Sequence, residues 1–223
     1  IIDDTANLEE ASHKIMTSKT FDNATSCSSE NSIIIVESVY ESMIQSLKKE
    51  GGSLLNSQEK DILKKSMWND NGIINRDIIA KKSNEIASLA GLGDNHLNSK
   101  FLMVEEQNVG SEHPFSMEKL SPVLAVYKAQ NFDHAVEVAT EILNNRGKGH
   151  SCSIHSQNQD NVLRLGLELP VCRIIVNQAH CFATGGNFDN GLPFSLSMGC
   201  GTWGNNVTDE NLNYKHYLNI TKI

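Results

Sequence analysis

The residue best suited to covalent chemistry in this chain is Cys27. It lies in a short polar stretch, residues 20–30, between a helical pattern and a run of β-branched residues. A thiol on a loop near free backbone N–H groups ionises more readily, and the thiolate is a strong nucleophile. A lone cysteine is also a common small buried side chain, so its position alone leaves both interpretations open.

Two further stretches could bind a ligand. Residues 113–122 precede a strand pattern and contain Glu118, whose carboxylate could bind ribose hydroxyls or could simply pair with Lys119 at the surface. Residues 187–204 are rich in glycine, which allows either a close approach of the backbone to a ligand or ordinary turns. They do not form a G-x-G-x-x-G motif after a strand, so we do not interpret them as a phosphate loop.

The cysteines and histidines do not indicate a metal site. The five cysteines are widely spaced without a C-x-x-C pair, which favours reduced thiols over a disulfide framework or zinc. His150 and His155 are an odd number of residues apart, so a strand would place them on opposite faces. We therefore interpret each as a solvated or core histidine and predict no metal.

Composition narrows the class of protein. The chain has 223 residues and a net charge of −8, which argues against nucleic acid or an anionic membrane as the main partner. No apolar run approaches the roughly 20 residues of a membrane span. The first residues lack the basic and apolar regions of a signal peptide, so we expect a cytoplasmic protein.

Strand and helix patterns alternate along the chain, which predicts an α/β layered sheet with mainly parallel neighbours. A strand end is expected at Ile1 and Ile2, and Ser38 with Glu41 has the spacing of a capping box at a helix start. The predicted strands are 33–36, 101–104, 122–127, 153–155 and 172–176. The predicted helices are 8–16, one beginning near Ser38, 57–68, 76–90, 131–145 and 158–168.

Taken together, the three candidate stretches resemble one family in order and spacing. Residues 21–30 resemble the cysteine motif of CoA-acylating aldehyde dehydrogenases, including the aldehyde dehydrogenase half of bifunctional aldehyde-alcohol dehydrogenases. Residues 118–123 resemble the Glu-x-x-Gly-Pro motif whose glutamate binds the nicotinamide ribose. Residues 199–204 are similar to the glycine-tryptophan closing segment of the same branch. The resemblance covers essentially the whole chain.

This resemblance implies an architecture and a site. Residues 21–195 are expected to form a three-layer α/β/α catalytic domain, residues 1–20 the tail end of the coenzyme-binding domain, and residues 196–223 a C-terminal return segment used in homo-oligomers. Cys27 is then the nucleophile and Glu118 the cofactor contact. NAD or NADP is the expected cofactor and CoA the co-substrate, with no metal. The family's coenzyme domain, oxyanion asparagine and general-base glutamate lie upstream of the position of Ile1, so we expect this stretch to be inactive by itself.

The implied reaction has two stages. The thiolate of Cys27 adds to an aldehyde, hydride leaves for NAD(P), and the resulting thioester passes its acyl group to CoA. The backbone N–H of Cys27 is expected to hold the oxyanion, with a second donor from elsewhere. Ala24, Thr25 and Ser26 stand where the hydrolytic branch usually has Gly-Gln, which favours CoA over water as the acceptor.

The substrate and two alternatives remain open. Residues 177–194 and 213–219 resemble those of acylating sulfoacetaldehyde dehydrogenases, although the first stretch offers no cation for a sulfonate. Acetaldehyde or another short aldehyde is the alternative substrate. The alternative functions are a hydrolytic aldehyde dehydrogenase, which would give the free acid, and a catalytically silent oligomerisation module.

Overall fold

A computed structural model describes all residues 1–223. Its centre is a four-stranded parallel sheet in the order β1-β4-β3-β2, and a separate parallel pair is formed by β5 and β6. The strands are β1 (Ser32–Val36), β2 (Gly52–Leu54), β3 (Phe101–Glu106), β4 (Val123–Ala129), β5 (Cys152–Ile154) and β6 (Ile174–Val176).

The first residues of the chain join the two sheets. Ile2 forms parallel bridges to Ile35 in β1 and to His155 at the end of β5. Its N–H donates to the carbonyl of Ile34 at 2.8 Å, and its carbonyl accepts from Val36 at 3.0 Å. Because Ile2 bridges to both strands, it lies between β1 and β5, and the six strands follow one continuous parallel surface.

Seven helices cover the two faces of this surface. They are α1 (Leu8–Thr20), α2 (Glu37–Lys49), α3 (Ser57–Met67), α4 (Ser83–Ala90), α5 (Phe132–Asn145), α6 (Gln159–Glu168) and α7 (His180–Ala183). Alternate strand residues feed two separate cores, as a strand period of two requires. Ile33 and Ile35 pack with α1 and α2, whereas Ile34 and Val36 pack with α3 to α6. The predicted three-layer α/β/α arrangement is confirmed.

Two predicted helix starts are wrong. The helix predicted over 76–90 begins only at Ser83, and the preceding residues form turns in which Ala80 has a φ of 62°. The capping box of Ser38 and Glu41 is absent, because α2 starts at Glu37 directly after β1, with Val36 as a cap that supplies no side-chain bond. With no loop between the two elements, Ser38 already lies inside the first turn.

Two short elements, β2 and α7, have no counterpart in the prediction. The strand β2 (Gly52–Leu54) has no β-branched residue, and α7 has only four residues, about one helical turn. The strands predicted at 153–155 and 172–176 are present as β5 and β6 with slightly different limits.

The outer segments pack closely on the rest of the chain. Ala11 and Ile15 of α1 belong to the same core as α2, β1 and β3. The segment after α7 is held by Arg173 and Asn211, described below. The proposed domain limits at residues 20 and 195 stay predictions. None of the helices combines the length and apolar character needed to cross a bilayer.

Candidate active site

The loop that carries Cys27 has an unusual backbone. Directly after α1, three consecutive residues other than glycine take left-handed conformations: Asp22, Asn23 and Ala24 have φ values of 48°, 51° and 61°. Such conformations cost free energy and persist only where neighbouring contacts impose them. Thr25 supplies two of these contacts, since its N–H and hydroxyl both donate to the carbonyl of Asp22, at 3.1 and 2.8 Å. The turn that follows leaves the thiol of Cys27 exposed.

The backbone N–H of Cys27 has no acceptor within the protein. The next two N–H groups are used locally, since Ser28 donates to Ser26 Oγ at 3.3 Å and Ser29 donates to the Ser26 carbonyl at 2.9 Å. A free N–H beside a nucleophile is available to a developing negative charge on a substrate oxygen. The loop therefore carries a free N–H at the position where the sequence predicts an oxyanion donor.

A histidine far away in the sequence contacts the thiol. His150 Nε2 lies 3.3 Å from Cys27 Sγ, across 123 positions of sequence. The other ring nitrogen, Nδ1, lies 2.7 Å from Ser151 Oγ. When Nδ1 carries the proton and donates it to Ser151, Nε2 is free to accept the thiol proton. The pair thus has the geometry of a nucleophile and its base.

The surroundings of His150 favour its neutral form. Burial lowers the pKa of His150, and the nearby positive charge of Arg173 lowers it further. Arg173 also fixes the backbone at this point, because its Nη1 donates to the His150 carbonyl at 3.2 Å. A neutral imidazole at physiological pH can accept a proton, whereas the protonated ring cannot.

Glu118 lies on a second loop, which the side chain of its neighbour Lys119 anchors in the protein interior. The ammonium of Lys119 is fully buried and donates to the carbonyls of Phe115 at 2.7 Å and Met117 at 2.8 Å. Burial and the nearby charge of Lys19 lower the pKa of Lys119 well below its usual value. With Lys119 turned into the protein, the side chain of Glu118 is left exposed and without an ion-pair partner.

Two hydrogen-bonded connections join the Cys27 and Glu118 loops. Asn23 Nδ2 donates to the carbonyl of Ala80 at 3.0 Å, and the N–H of Ala80 donates to the carbonyl of Leu120 at 3.0 Å. Separately, the N–H of Lys119 donates to Asn31 Oδ1 at 3.1 Å. Both connections keep the two loops at a fixed separation.

The two loops open onto one cavity of about 760 Å³. Cys27, Glu118 and His150 all line it, together with apolar side chains that include Trp68 and Ile142. A cleft of this size, mostly apolar with a few converging polar groups, is typical of a small-molecule or cofactor site. The structure therefore brings together both residues singled out in the sequence and adds His150 to them.

Buried ionisable groups lie in and behind the wall of this cavity. Glu30 lines it at 6% exposure, and burial raises the pKa of this carboxyl to about 7 against the attraction of Lys19. Burial in turn lowers the pKa of Lys19 to about 8. His180 also lines the cavity; burial lowers its pKa to about 3, and its Nε2 has no partner.

The glycine-rich close of the chain supports the His150 loop rather than a ligand. A Cβ on Gly149 would meet the carbonyl oxygen of Cys200 at 2.0 Å, and one on Gly199 would meet that of Thr208 at 2.0 Å. Arg173 joins the two segments, donating from Nη2 to the Gly199 carbonyl at 2.9 Å. Residues 199–204 thus pack against the loop that ends in His150.

No pattern in the sequence distinguishes His150 from the other histidines. Its interpretation as a solvated or core residue is wrong, because the ring contacts the thiol of Cys27. The contact depends on the placement of β1 and β5 on either side of Ile2, and no local spacing could reveal it. His155 is a core histidine, as expected, with 3% exposure and a pKa that burial lowers to about 3.

Known proteins are similar to this chain in fold and in sequence. An acylating sulfoacetaldehyde dehydrogenase of Cupriavidus necator is 54% identical over 224 residues, which cover all of this chain and 45% of that protein. An acetylating succinate-semialdehyde dehydrogenase of Clostridium kluyveri is 34% identical, covering all of this chain and 49% of that protein. An acetylating aldehyde dehydrogenase of Geobacillus thermoglucosidasius superimposes with a TM-score of 0.92 at 34% identity, covering all of this chain and 50% of that one.

The chain spans about half the length of these relatives. Residues 1–195 match the model of the aldehyde dehydrogenase family, which confirms the resemblance seen in the sequence. The parallel sheet, the cysteine loop that opens on its cavity and this match agree, and the chain belongs to the aldehyde dehydrogenase family.

Proposed function

We propose that this chain carries the nucleophile and the nicotinamide-ribose contact of an NAD(P)-dependent, CoA-acylating aldehyde dehydrogenase. The observation that carries the proposal is the 3.3 Å contact between His150 Nε2 and Cys27 Sγ, at a cavity that Glu118 also lines. A thiol beside a neutral imidazole has the arrangement of an activated cysteine nucleophile.

The first stage uses groups of this chain. His150 Nε2 accepts the proton of the Cys27 thiol, and Sγ forms a bond to the aldehyde carbon. The carbonyl oxygen becomes an oxyanion, which the free N–H of Cys27 stabilises. Loss of hydride from that carbon leaves an acyl group bound to Sγ as a thioester.

NAD or NADP, when bound, supplies the acceptor for the hydride. Glu118 fits this cofactor, because its exposed carboxylate lines the cavity beside Cys27 and has no cation to compete for its oxygens. Carboxylates bind ribose hydroxyls in other dinucleotide sites through the same acceptor atoms. The apolar wall at Trp68 and Ile142 would keep water from the reacting carbon.

In the second stage the thiolate of CoA attacks the thioester carbon, and Cys27 leaves as a thiolate. His150 is placed to return a proton to Cys27 Sγ at the end of the cycle. Similarity to acylating enzymes of Cupriavidus necator and Clostridium kluyveri supports CoA as the acceptor. Their names also support a short aldehyde with an anionic tail as substrate, and sulfoacetaldehyde is the one we propose.

The test uses the full-length protein that contains this chain. With sulfoacetaldehyde, NAD(P) and CoA, cofactor reduction should depend on CoA and yield an acyl-CoA. Replacing Cys27 with Ser should reduce the rate at least about 10³-fold, because a hydroxyl is a far weaker nucleophile near neutral pH. Cys181→Ser is the matched control, since this thiol does not line the cavity.

Two results would overturn the proposal. Reduction that is indifferent to CoA and gives the free acid would identify a hydrolytic enzyme. A fully active Cys27→Ser variant would remove the nucleophile, and absence of turnover with every aldehyde would favour the oligomerisation module.

We also propose that the protein is a cytoplasmic homo-oligomer. Leu196, Val207 and Ile220 in the C-terminal segment expose 96%, 104% and 77% of their surfaces, and contact with another copy would bury this apolar surface. Light scattering on the full-length protein should give a multiple of the monomer mass. Deletion of residues 206–223 should shift it towards the monomer, and a monomeric wild type would contradict the proposal.

A further inference from the structure

We propose that Arg146 and the turn after it form an anion subsite of the Cys27 cavity, which takes the sulfonate or carboxylate tail of the aldehyde or a phosphate of a coenzyme. The inference deepens the proposed function and rests on it for the identity of the ligand. The observation behind it is the distribution of charged residues around the cavity.

Arg146 is the only lysine or arginine among the residues that line the cavity, where the acidic residues are Glu30 and Glu118. Its guanidinium is exposed and has neither an ion-pair nor a hydrogen-bond partner in the protein. Two other arginines are fully engaged: Arg164 pairs with Asp133 and Glu168, and Arg173 is buried against Asn211. A free guanidinium in a cleft is available to a planar or tetrahedral anion.

The chain places Arg146 close to the nucleophile. The N–H of His150 donates to the carbonyl of Gly147 at 3.1 Å, which closes a four-residue turn. Such turns hold their end residues within about 7 Å. Arg146 directly precedes this turn and His150, at its other end, contacts Cys27 Sγ, so a short molecule attached to Cys27 could reach the guanidinium.

The turn also offers donors of its own. The backbone N–H groups of Gly147 and Lys148 have no acceptor, and the Lys148 ammonium has no ion-pair partner. Gly147 has a φ of 116°, a conformation that suits glycine and turns the backbone sharply after α5. Consecutive free N–H groups next to an arginine can bind an anion, as they do in other anion-binding turns.

The position of Arg146 provides a cation that the substrate-like stretch of the sequence lacks. Residues 177–194 resemble those of sulfoacetaldehyde enzymes but contain no lysine or arginine. Arg146 supplies the missing cation from a different part of the chain, on a protein whose net charge is −8. Sulfonates, carboxylates and phosphates share the chemistry of several oxygen acceptors that carry negative charge.

The first test measures alkylation of Cys27 rather than turnover. Iodoacetate carries a carboxylate next to its reacting carbon, and iodoacetamide is its neutral counterpart. In the full-length protein, Arg146→Ala should slow iodoacetate at Cys27 about 10-fold, since a charged hydrogen bond is lost, and leave iodoacetamide unchanged. Peptide mass spectrometry follows modification of Cys27 itself.

Arg76→Ala is the matched control, because Arg76 is exposed, unpaired and outside the cavity. It should alter neither reagent's rate. An iodoacetate-to-iodoacetamide ratio that is the same in wild type and Arg146→Ala would overturn the proposal. Equal loss in Arg146→Ala and Arg76→Ala would also overturn it, since the effect would then come from net charge.

A second measurement identifies the source of the anion. If the subsite takes the aldehyde tail, Arg146→Ala lowers kcat/KM for sulfoacetaldehyde and spares acetaldehyde. If it takes a phosphate, kcat/KM falls equally for both aldehydes and KM rises for CoA or NADP. Unchanged values for all of these ligands would overturn the subsite. Because alkylation needs no aldehyde turnover, failure of the proposed function remains distinguishable from failure of this inference.

Discussion

Asn23 Nδ2 donates a 3.0 Å hydrogen bond to the carbonyl of Ala80, which links the Cys27 loop to the turn before α4. Ala80 is bonded in turn to Leu120, two residues beyond Glu118. Asn23, Ala80 and Leu120 all have left-handed backbone conformations, with φ of 51°, 62° and 45°. A connection built from three strained residues fixes the distance between the loops of Cys27 and Glu118.

Replacing Asn23 with Ala should therefore lower the stability of the protein and disturb the Cys27 loop. The variant loses a hydrogen bond and the residue type that best tolerates this conformation, so the free energy of unfolding should fall by about 1–2 kcal/mol. Urea denaturation of the full-length protein measures this loss, and the iodoacetamide rate at Cys27 reports the change in the loop. Asn23→Gly is the control, since it keeps the backbone conformation and loses only the bond. Wild-type values for Asn23→Ala in both assays would contradict the argument.

The contact between His150 and Cys27 predicts a pH dependence. Burial and Arg173 lower the pKa of His150 below its ordinary value of 6.5, so the ring stays neutral and able to accept the thiol proton until the pH falls below that value. Alkylation of Cys27 by iodoacetamide should therefore decline only below about pH 6.5. His150→Gln should slow alkylation near neutral pH about 10²-fold and move the decline to higher pH.

His13→Gln is the control for this experiment, because His13 is exposed on α1, contacts Glu50 and does not line the cavity. Its pH profile should match the wild type. If His150→Gln also matches the wild type from pH 5 to 9, the imidazole does not act on the thiol.

The sequence predicted the sheet and most helices because these depend on local pattern. It singled out Cys27 and Glu118 because each stands in a motif of adjacent residues, and their roles stay predictions. It missed His150 and Arg146 for a physical reason. Their positions beside Cys27 depend on β1 and β5, which lie on either side of Ile2, and this arrangement brings together residues more than 100 positions apart. It also placed the start of α4 too early, because apolar spacing continues through residues 76–80 although the backbone at Ala80 reverses.

Glu30 should make stability depend on pH. Burial raises the pKa of its carboxyl from 4.5 to about 7 in the folded chain, so the folded state binds more protons than the unfolded state between these values. The contribution of Glu30 is fully favourable below about pH 4.5 and declines as pH rises to about 7. Glu30→Gln removes this decline, so the loss of unfolding free energy between pH 5 and 7.5 should shrink by about 1–3 kcal/mol.

Urea unfolding at the two pH values measures this difference in the full-length protein. Glu137→Gln serves as the control, because Glu137 is exposed on α5, and it should keep the wild-type difference. A Glu30→Gln variant with the same pH dependence as the wild type would show that the carboxyl ionises normally in the folded state.

Asn211 holds the C-terminal segment against the His150 loop, and its loss should be costly. It is 1% exposed; its Oδ1 accepts from Arg173 Nε at 2.8 Å, and its Nδ2 donates to the carbonyls of Thr184 at 2.8 Å and Pro193 at 2.9 Å. Asn211→Ala leaves a buried guanidinium short of an acceptor and two carbonyls short of a donor. The free energy of unfolding should fall by about 3 kcal/mol, since buried polar groups left without partners carry their full desolvation cost.

The effect should extend to the active site, because Arg173 also bonds to the carbonyl of His150. Limited proteolysis should cut residues 185–210 faster in Asn211→Ala, and alkylation of Cys27 should slow as His150 loses its fixed position. Asn206→Ala is the control, since Asn206 is exposed and bonds only within its own turn, to Cys200 and Gly204. If Asn211→Ala loosened the segment but left the Cys27 rate unchanged, Arg173 would hold His150 without help from Asn211.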